Sequence, residues 1–284
     1  MKDKKICIIG SGTMGAGIAQ VCAQSGMNVF IYDKDCKCVD KCMEIMEKNL
    51  QKAAEKGKIR TGDIDNTLGR ISKILNMEEL PDRVNFVVEA AVEDLSVKKS
   101  IFKNLDEKYD SSVILATNTS SLSITEIASV TKKQYRVIGI HFFNPVQVMN
   151  LVEIIRGIKT SDNVFLKSKK FIEELGKTPV EVKDSPGFIV NRLLIPMINE
   201  AANILDEGIS GREDIDAAMK LGANHPIGPL ALADLIGLDI CLKIMQVLYK
   251  GFSDSKYRPS PLIVRMVKEG FLGRKSKKGF YEYN

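Results

Sequence analysis

Two histidines stand in the whole sequence, and one of them, His141, closes an apolar run in VIGIHFFNPVQVMNLVEI. Glu153 follows twelve positions later. Imidazole exchanges protons near neutral pH, and a carboxylate beside it fixes the ring's tautomer and favours its charged form. Asn144-Pro145 predicts a turn, and Met149–Ile155 reads as extended and apolar. A hairpin centred on Gln147 sets Glu153 opposite His141, because each lies six residues from it. The pair has the makings of a general acid–base catalyst. A structural histidine bonded to backbone carbonyls is the plainer reading, and these residues alone leave both open.

Two further polar residues stand where a substrate carbonyl could reach them. Ser120 lies in Thr117-Asn118-Thr119-Ser120-Ser121, just past a predicted strand. Asn191 lies in Gly187-Phe188-Ile189-Val190-Asn191-Arg192, on an otherwise apolar predicted helix. Each also has an ordinary role open to it: a helix cap for Ser120, a bond between helices for Asn191.

A third constellation sits near the start. Gly10-Ser11-Gly12-Thr13-Met14-Gly15 fits G-x-G-x-x-G, directly after an apolar strand and at the opening of a helix. The first glycine permits a tight turn and the second lets the backbone approach a pyrophosphate. The third lets helix and strand pack closely. Asp33 ends the next predicted strand, 21 residues after Gly12, where a carboxylate binds adenosine ribose hydroxyls. It would repel a 2′-phosphate, so NAD is favoured over NADP, although Lys34 and Lys37 close by act in the opposite sense.

These residues need a scaffold, and the hydrophobic pattern supplies one. Strands are predicted at Lys5–Ile9, Asn28–Tyr32, Val84–Glu89, Val113–Thr117, Val137–His141, Leu151–Ile155 and Pro179–Val182. Helical stretches run Met14–Gln24, about Asp35 to Lys56, Leu95–Tyr109 and Asp162–Leu175. Strands alternating with helices indicate a Rossmann-like doubly wound α/β fold with a mostly parallel sheet. The character changes at Asp184-Ser185-Pro186-Gly187. Beyond it the pattern is helical: Phe188–Glu207, Arg212–Leu221, Pro229–Lys250 and Pro261–Glu269, with Gly208, Gly222, Gly251 and Gly270 as stops. The expected organisation is a dinucleotide-binding domain over 1–184 and a smaller all-helical C-terminal domain over 185–284.

Composition narrows the function classes. With 44% apolar and 27% charged residues the chain reads as globular, and no apolar run reaches the ~18 residues that span a bilayer. A net charge of +5 suits an anionic small ligand, and no polybasic surface for nucleic acid is visible. The basic start with its short, glycine-broken apolar core does not fit a signal peptide, so a cytoplasmic protein is expected. Cys36, Cys38 and Cys42 cluster without paired C-x-x-C spacing, so no metal site is expected and the thiols read as reduced.

GSGTMGAGIAQ, VEAAVED, LATNTSSLSITEIA, GIHFFNPVQVMNLVEII, DSPGFIVNRLLIPMINEA, LGANHPIGPLALADLIGLD and the terminal GFY together resemble the 3-hydroxyacyl-CoA dehydrogenase family over nearly the whole chain. That resemblance implies an NAD-dependent oxidoreductase interconverting 3-hydroxyacyl-CoA and 3-ketoacyl-CoA, with His141 as catalytic base and Glu153 as its partner. It implies that Ser120 and Asn191 contact the reacting end of the thioester. Glu93, Lys98, Asn144 and Lys275 match positions that help hold NAD. Lys52 and Lys56 match positions facing the coenzyme A phosphates, and with Lys48 they share one helix face at i, i+4 spacing. The resemblance also points to a homodimer through the C-terminal domain. One position departs from the pattern: Lys277 stands where relatives usually carry glycine. His225, in Asn224-His225-Pro226, matches no catalytic position and reads as a loop residue.

Two other classes compete. β-Hydroxyacid dehydrogenases share the two-domain plan but use a lysine on the long helix, and Pro186 to Glu207 contains none. A non-enzymatic dinucleotide-binding protein would need no histidine–carboxylate pair.

Overall fold

The computed structural model describes residues 4–284. The chain divides into two compact units, one ending at Asp184 and the other running Ser185–Asn284.

The first unit is built on an eight-stranded sheet of β1 (Lys5–Ile9), β2 (Asn28–Tyr32), β3 (Ile71–Ile74), β4 (Phe86–Glu89), β5 (Ile114–Thr117), β6 (Val137–Phe142), β7 (Leu151–Arg156) and β8 (Thr178–Lys183). Their order is β3-β2-β1-β4-β5-β6-β7-β8. All neighbours run parallel except β6 and β7. The central strands β4 and β5 are buried along their full length, as continuous apolar runs in covered parallel sheets must be. Around them lie α1 (Thr13–Gln24), α2 (Cys36–Glu55), α3 (Gly62–Leu68), α4 (Leu95–Lys108), α5 (Ile124–Ala128) and α6 (Asp162–Glu174).

Helix α2 shows how the pattern divides its faces. Val39, Cys42, Met46 and Leu50 recur at three or four residues and are buried, while Lys48, Lys52 and the C-capping Lys56 are exposed. Asp94 opens α4 by accepting from the Val97 N–H, and Ser161 opens α6 by accepting from Val164.

Three elements of this unit have no counterpart in the hydrophobic pattern. Strand β3 reads ISKI with only its end residues buried, so it shows neither an alternating nor a continuous apolar signature. The seven-residue α3 and five-residue α5 are too short to display helical periodicity.

The second unit holds α7 (Val190–Asp206), α8 (Arg212–Gly222), α9 (Pro229–Ile236), α10 (Leu238–Phe252) and α11 (Pro261–Lys268) around a core that includes Ile195, Ile198, Leu230, Leu238, Met245 and Leu248. The single helix expected over Pro229–Lys250 is in fact two. Gly237, at φ 104° and ψ 124°, breaks it in a conformation that side-chain-bearing residues rarely adopt. Gly251 is not a stop either. The helix continues to Phe252 and ends on Ser253 at φ 52°, while Gly251 lies where a Cβ would come 2.5 Å from Pro186 Cγ.

Two buried carboxylates fasten the chain's last residues to this core. Asp234 accepts from the Phe280 and Tyr281 N–H groups, each at 2.9 Å, and from the Tyr283 hydroxyl. Asp216 accepts from the Leu230 and Ala231 N–H groups at the start of α9 and from the Tyr281 hydroxyl. Lys277 adopts φ 61°, the left-handed conformation in which glycine costs nothing.

Candidate active site

The glycine turn after β1 is held closed by its neighbours. Gly10 has φ 105°, and a Cβ there would lie 2.6 Å from the Ala90 carbonyl oxygen. A Cβ on Gly15 would strike the Gly10 carbonyl, so the helix start packs directly on the turn. At Gly12 a Cβ would meet no protein atom within 4 Å. Gly12 is the N-cap of α1, and neither a side-chain cap nor an acidic residue in the first turn competes for the helix's leading N–H groups. That is a cradle for an anionic group.

Asp33 follows β2 directly and is tied to the same turn. Its Oδ2 accepts from the Ser11 backbone N–H at 2.8 Å and the Ser11 hydroxyl at 2.9 Å. The carboxylate is thus fixed beside the glycine turn. Ser11 is a residue that sequence reasoning passed over. The turn and Asp33 together fit a dinucleotide.

A charged cluster lies at the ends of β4 and β5. Glu89, the last residue of β4, is fully buried; its Oε1 accepts from the Ala91 N–H and from Lys98 Nζ, each at 2.7 Å, and its Oε2 from the Thr117 hydroxyl. Lys98 Nζ also stands 3.4 Å from Glu93 Oε2. Glu93 Oε1 accepts from the Thr119 hydroxyl and from the N–H of Ser120 at 3.0 Å. Burial pushes the Glu93 carboxyl up, but the Lys98 ammonium, the Thr119 hydroxyl and the Ser120 N–H outweigh it and hold the group below the usual range. Two carboxylates therefore share one cation, and Ser120 is bonded to one of them. Glu89, Thr117 and Thr119 are the members that the sequence reading missed. The cap of α5 is Ser123, so that role does not fall to Ser120.

His141 lies one residue from the end of β6, and its direct cross-strand partner in β7 is Glu153. Both are buried, and His141 Nδ1 stands 2.8 Å from Glu153 Oε2. With Nδ1 donating to the carboxylate, Nε2 is left as the nitrogen that can accept a proton. The Phe143 ring lies against the imidazole with centroids 4.4 Å apart. Asn118 joins β4, β5 and β6: its N–H donates to the Glu89 carbonyl and its side-chain oxygen accepts from the Phe142 N–H. Asn144 is exposed in the turn that follows His141.

The first unit therefore carries the glycine turn with Thr13 and Met14, together with Asp33, Glu93, Lys98, Ser120, His141, Asn144 and Glu153; it also carries Lys52 and Lys56 on α2. Asn191 and Lys275 belong to the second unit. Asn191 is the second residue of α7, and Lys275 lies in the turn at 274–276 with its ammonium 2.6 Å from Asp239. His225 is in the loop between α8 and α9. No helix among the described residues is long and apolar enough to cross a membrane.

The NAD-binding domain model of the 3-hydroxyacyl-CoA dehydrogenases matches residues 5–185, and that family's C-terminal domain model matches residues 187–283. The chain belongs to the 3-hydroxyacyl-CoA dehydrogenase family. It is 52% identical over 280 residues to a 3-hydroxybutyryl-CoA dehydrogenase of Clostridioides difficile, covering 99% of each chain. It is 42% identical to the human mitochondrial hydroxyacyl-coenzyme A dehydrogenase, covering 99% of this chain and 91% of that one. Among solved structures, the (S)-3-hydroxybutyryl-CoA dehydrogenase of Ralstonia eutropha superimposes with a TM-score of 0.95 at 48% identity, covering 99% of both chains. Membership in the 3-hydroxyacyl-CoA dehydrogenase family makes the chain an NAD-dependent oxidoreductase of 3-hydroxyacyl-CoA thioesters.

Proposed function

We propose that this dehydrogenase acts on short thioesters, interconverting (S)-3-hydroxybutyryl-CoA and acetoacetyl-CoA, with His141 and Glu153 as its acid–base pair. The observation that carries the reading is the His141–Glu153 pair, buried and bonded at the carboxyl edge of the sheet that also bears the glycine turn. The activities of the similar 3-hydroxybutyryl-CoA dehydrogenases support the short acyl chain.

When bound, NAD supplies the acceptor for the hydride. The chain's own residues do the rest. The α1 N-terminus holds the pyrophosphate, and Asp33 holds the adenosine ribose. His141 Nε2 removes the proton of the 3-hydroxyl in oxidation and returns it to the 3-keto oxygen in reduction. Glu153 keeps Nδ1 protonated and balances the charge that the ring gains. Ser120 binds the reacting end of the thioester, and Glu93 fixes its orientation through the Ser120 N–H.

The family resemblance supports a part for Asn191 in binding the thioester and for Glu93, Lys98, Asn144 and Lys275 in holding NAD. Lys98 is almost wholly buried between Glu89 and Glu93, so its part is to balance and aim Glu93. Lys52 and Lys56 present an exposed basic face to the coenzyme A phosphates. Leu193, Leu221 and Leu235 are exposed on the second unit, which supports a homodimer formed through it. The protein acts in the cytoplasm, on a small-molecule substrate, without nucleic acid or membrane.

Oxidation of NADH on addition of acetoacetyl-CoA tests this reading. Turnover with the coenzyme A thioester, and not with free acetoacetate, is the expected result; the absence of turnover with any 3-ketoacyl-CoA would refute it.

A further inference from the structure

The connection between β6, which carries His141, and β7, which carries Glu153, is fastened from two sides. Val146 is buried against α1, so closely that a Cβ on Gly17 would come 2.7 Å from Val146 Cγ2. Gln147 donates its side-chain N–H to Gln20, also on α1, at 2.8 Å. From the other side comes Lys177, the residue before β8. Its ammonium donates to the Val146 carbonyl at 2.6 Å and to the Met149 carbonyl at 2.8 Å. Lys177 is 8% exposed, and among the described residues no carboxylate forms an ion pair with it.

A lysine buried without a counter-ion is costly, and burial draws its ammonium below the ordinary lysine range. Two carbonyl oxygens, pointed at one spot by the turn, offset that cost. The same clamp could not be made by an apolar side chain, which would leave both carbonyls without a donor.

We propose that Lys177 is a positioning residue for proton transfer, holding the β6–β7 connection against α1 and so fixing His141 and Glu153 relative to the helix that the glycine turn opens. The inference rests on the acid–base reading above. It follows from connectivity: the clamped residues run directly into both strands of the pair, and α1 is the helix whose N-terminus takes the pyrophosphate. Loosening the clamp moves the proton donor relative to the bound cofactor. Small displacements of reacting groups cost rate more than affinity.

The test compares Lys177→Met, Lys177→Gln and Lys177→Ala with Glu153→Gln, each assayed well below its own melting temperature. Lys177→Met should lower kcat about 10–100-fold with KM for NADH changed less than about twofold. Lys177→Gln, which keeps an N–H donor, should lose less. Adding ethylamine or propylamine should restore part of the kcat of Lys177→Ala and none of that of Glu153→Gln. The Lys177→Met/Glu153→Gln double variant should lose far less than the product of the two single losses.

A Lys177→Met enzyme with a lowered melting temperature but unchanged kcat would overturn the proposal. So would losses that multiply, or an amine without effect on Lys177→Ala. If Glu153→Gln itself keeps full kcat, the acid–base reading fails. If Glu153→Gln is impaired and Lys177→Met is not, only the inference about Lys177 fails.

Discussion

His141 Nδ1 and Glu153 Oε2 stand 2.8 Å apart because the two residues are direct partners in the only antiparallel strand pair of the sheet described. Side chains alternate between the two faces of a strand, so a slip of one residue in this hairpin would send Glu153 to the opposite face from His141. The pairing is therefore a property of the hairpin's register. It is fixed by the turn between the strands and by the buried residues Ile140, Phe142, Val152 and Ile154 that flank the pair.

Cofactor choice should rest on Asp33, whose carboxylate is held beside the glycine turn by both donors of Ser11. Replacing Asp33 with Ser should raise KM for NADH about tenfold and narrow its advantage over NADPH, as steady-state kinetics with both cofactors would show. A wild-type enzyme that already uses the two equally would remove Asp33 from this role.

Coenzyme A affinity should depend on the exposed basic face of α2. Lys52→Ala with Lys56→Ala should raise KM for the thioester several-fold, leaving kcat and NADH affinity nearly unchanged. Added salt should act in the same direction on the wild type, since exposed charges are screened. An unaltered KM in the double variant would mark these lysines as a solvated face only.

Acid stability should depend partly on Glu93. Its pKa in the folded protein lies below the ordinary 4.5, so its contribution is complete above 4.5 and is lost as pH falls through the lower folded value. The melting temperature should therefore drop on acidification below 4.5, and Glu93→Gln should make that drop shallower. Parallel melting curves for the two proteins across this range would contradict the assignment.

Lys277 should be a site of easy stabilisation. It holds φ 61°, which costs a side-chain-bearing residue about 1 kcal/mol or more, partly offset by glycine's greater freedom when unfolded. Lys277→Gly should raise stability by about 0.5–1 kcal/mol, a shift of roughly 1–4 °C in melting temperature. A lower melting temperature would mean that the Lys277 side chain contributes more than its backbone costs.

Much of this architecture is written in local pattern. The runs KICII and NVFIY coincide with β1 and β2 to the residue, because buried parallel strands are continuous apolar segments bounded by turn residues. The hairpin around Gln147 was legible because a turn signal between two apolar runs fixes register by counting. The break at Gly237 was not, since one glycine between an apolar-patterned run of 8 residues and another of 15 resembles a tolerated helical glycine. What makes it a break is a backbone conformation that composition does not reveal. Glu89 illustrates a signal that was present and unused: like His141, it is an ionisable residue ending an apolar strand. Its partners Lys98 and Thr117 come from other elements, so the cluster exists only in the fold. Lys177 is hidden for the same reason, because its acceptors are backbone carbonyls that no sequence pattern marks.

The most direct test of the account is the kcat of His141→Asn, measured beside its NADH affinity and melting temperature. Asparagine keeps a polar side chain at the position but cannot take up the substrate proton. If His141 carries the substrate proton, kcat should fall on the order of 10²–10⁴, the usual range for general acid–base catalysis, with NADH binding intact. Glu153→Gln should lower kcat less, and the double variant should fall little below His141→Asn alone, because the pair acts as one unit. A His141→Asn enzyme that kept nearly full kcat while melting many degrees lower would make the histidine structural and the acid–base pair wrong.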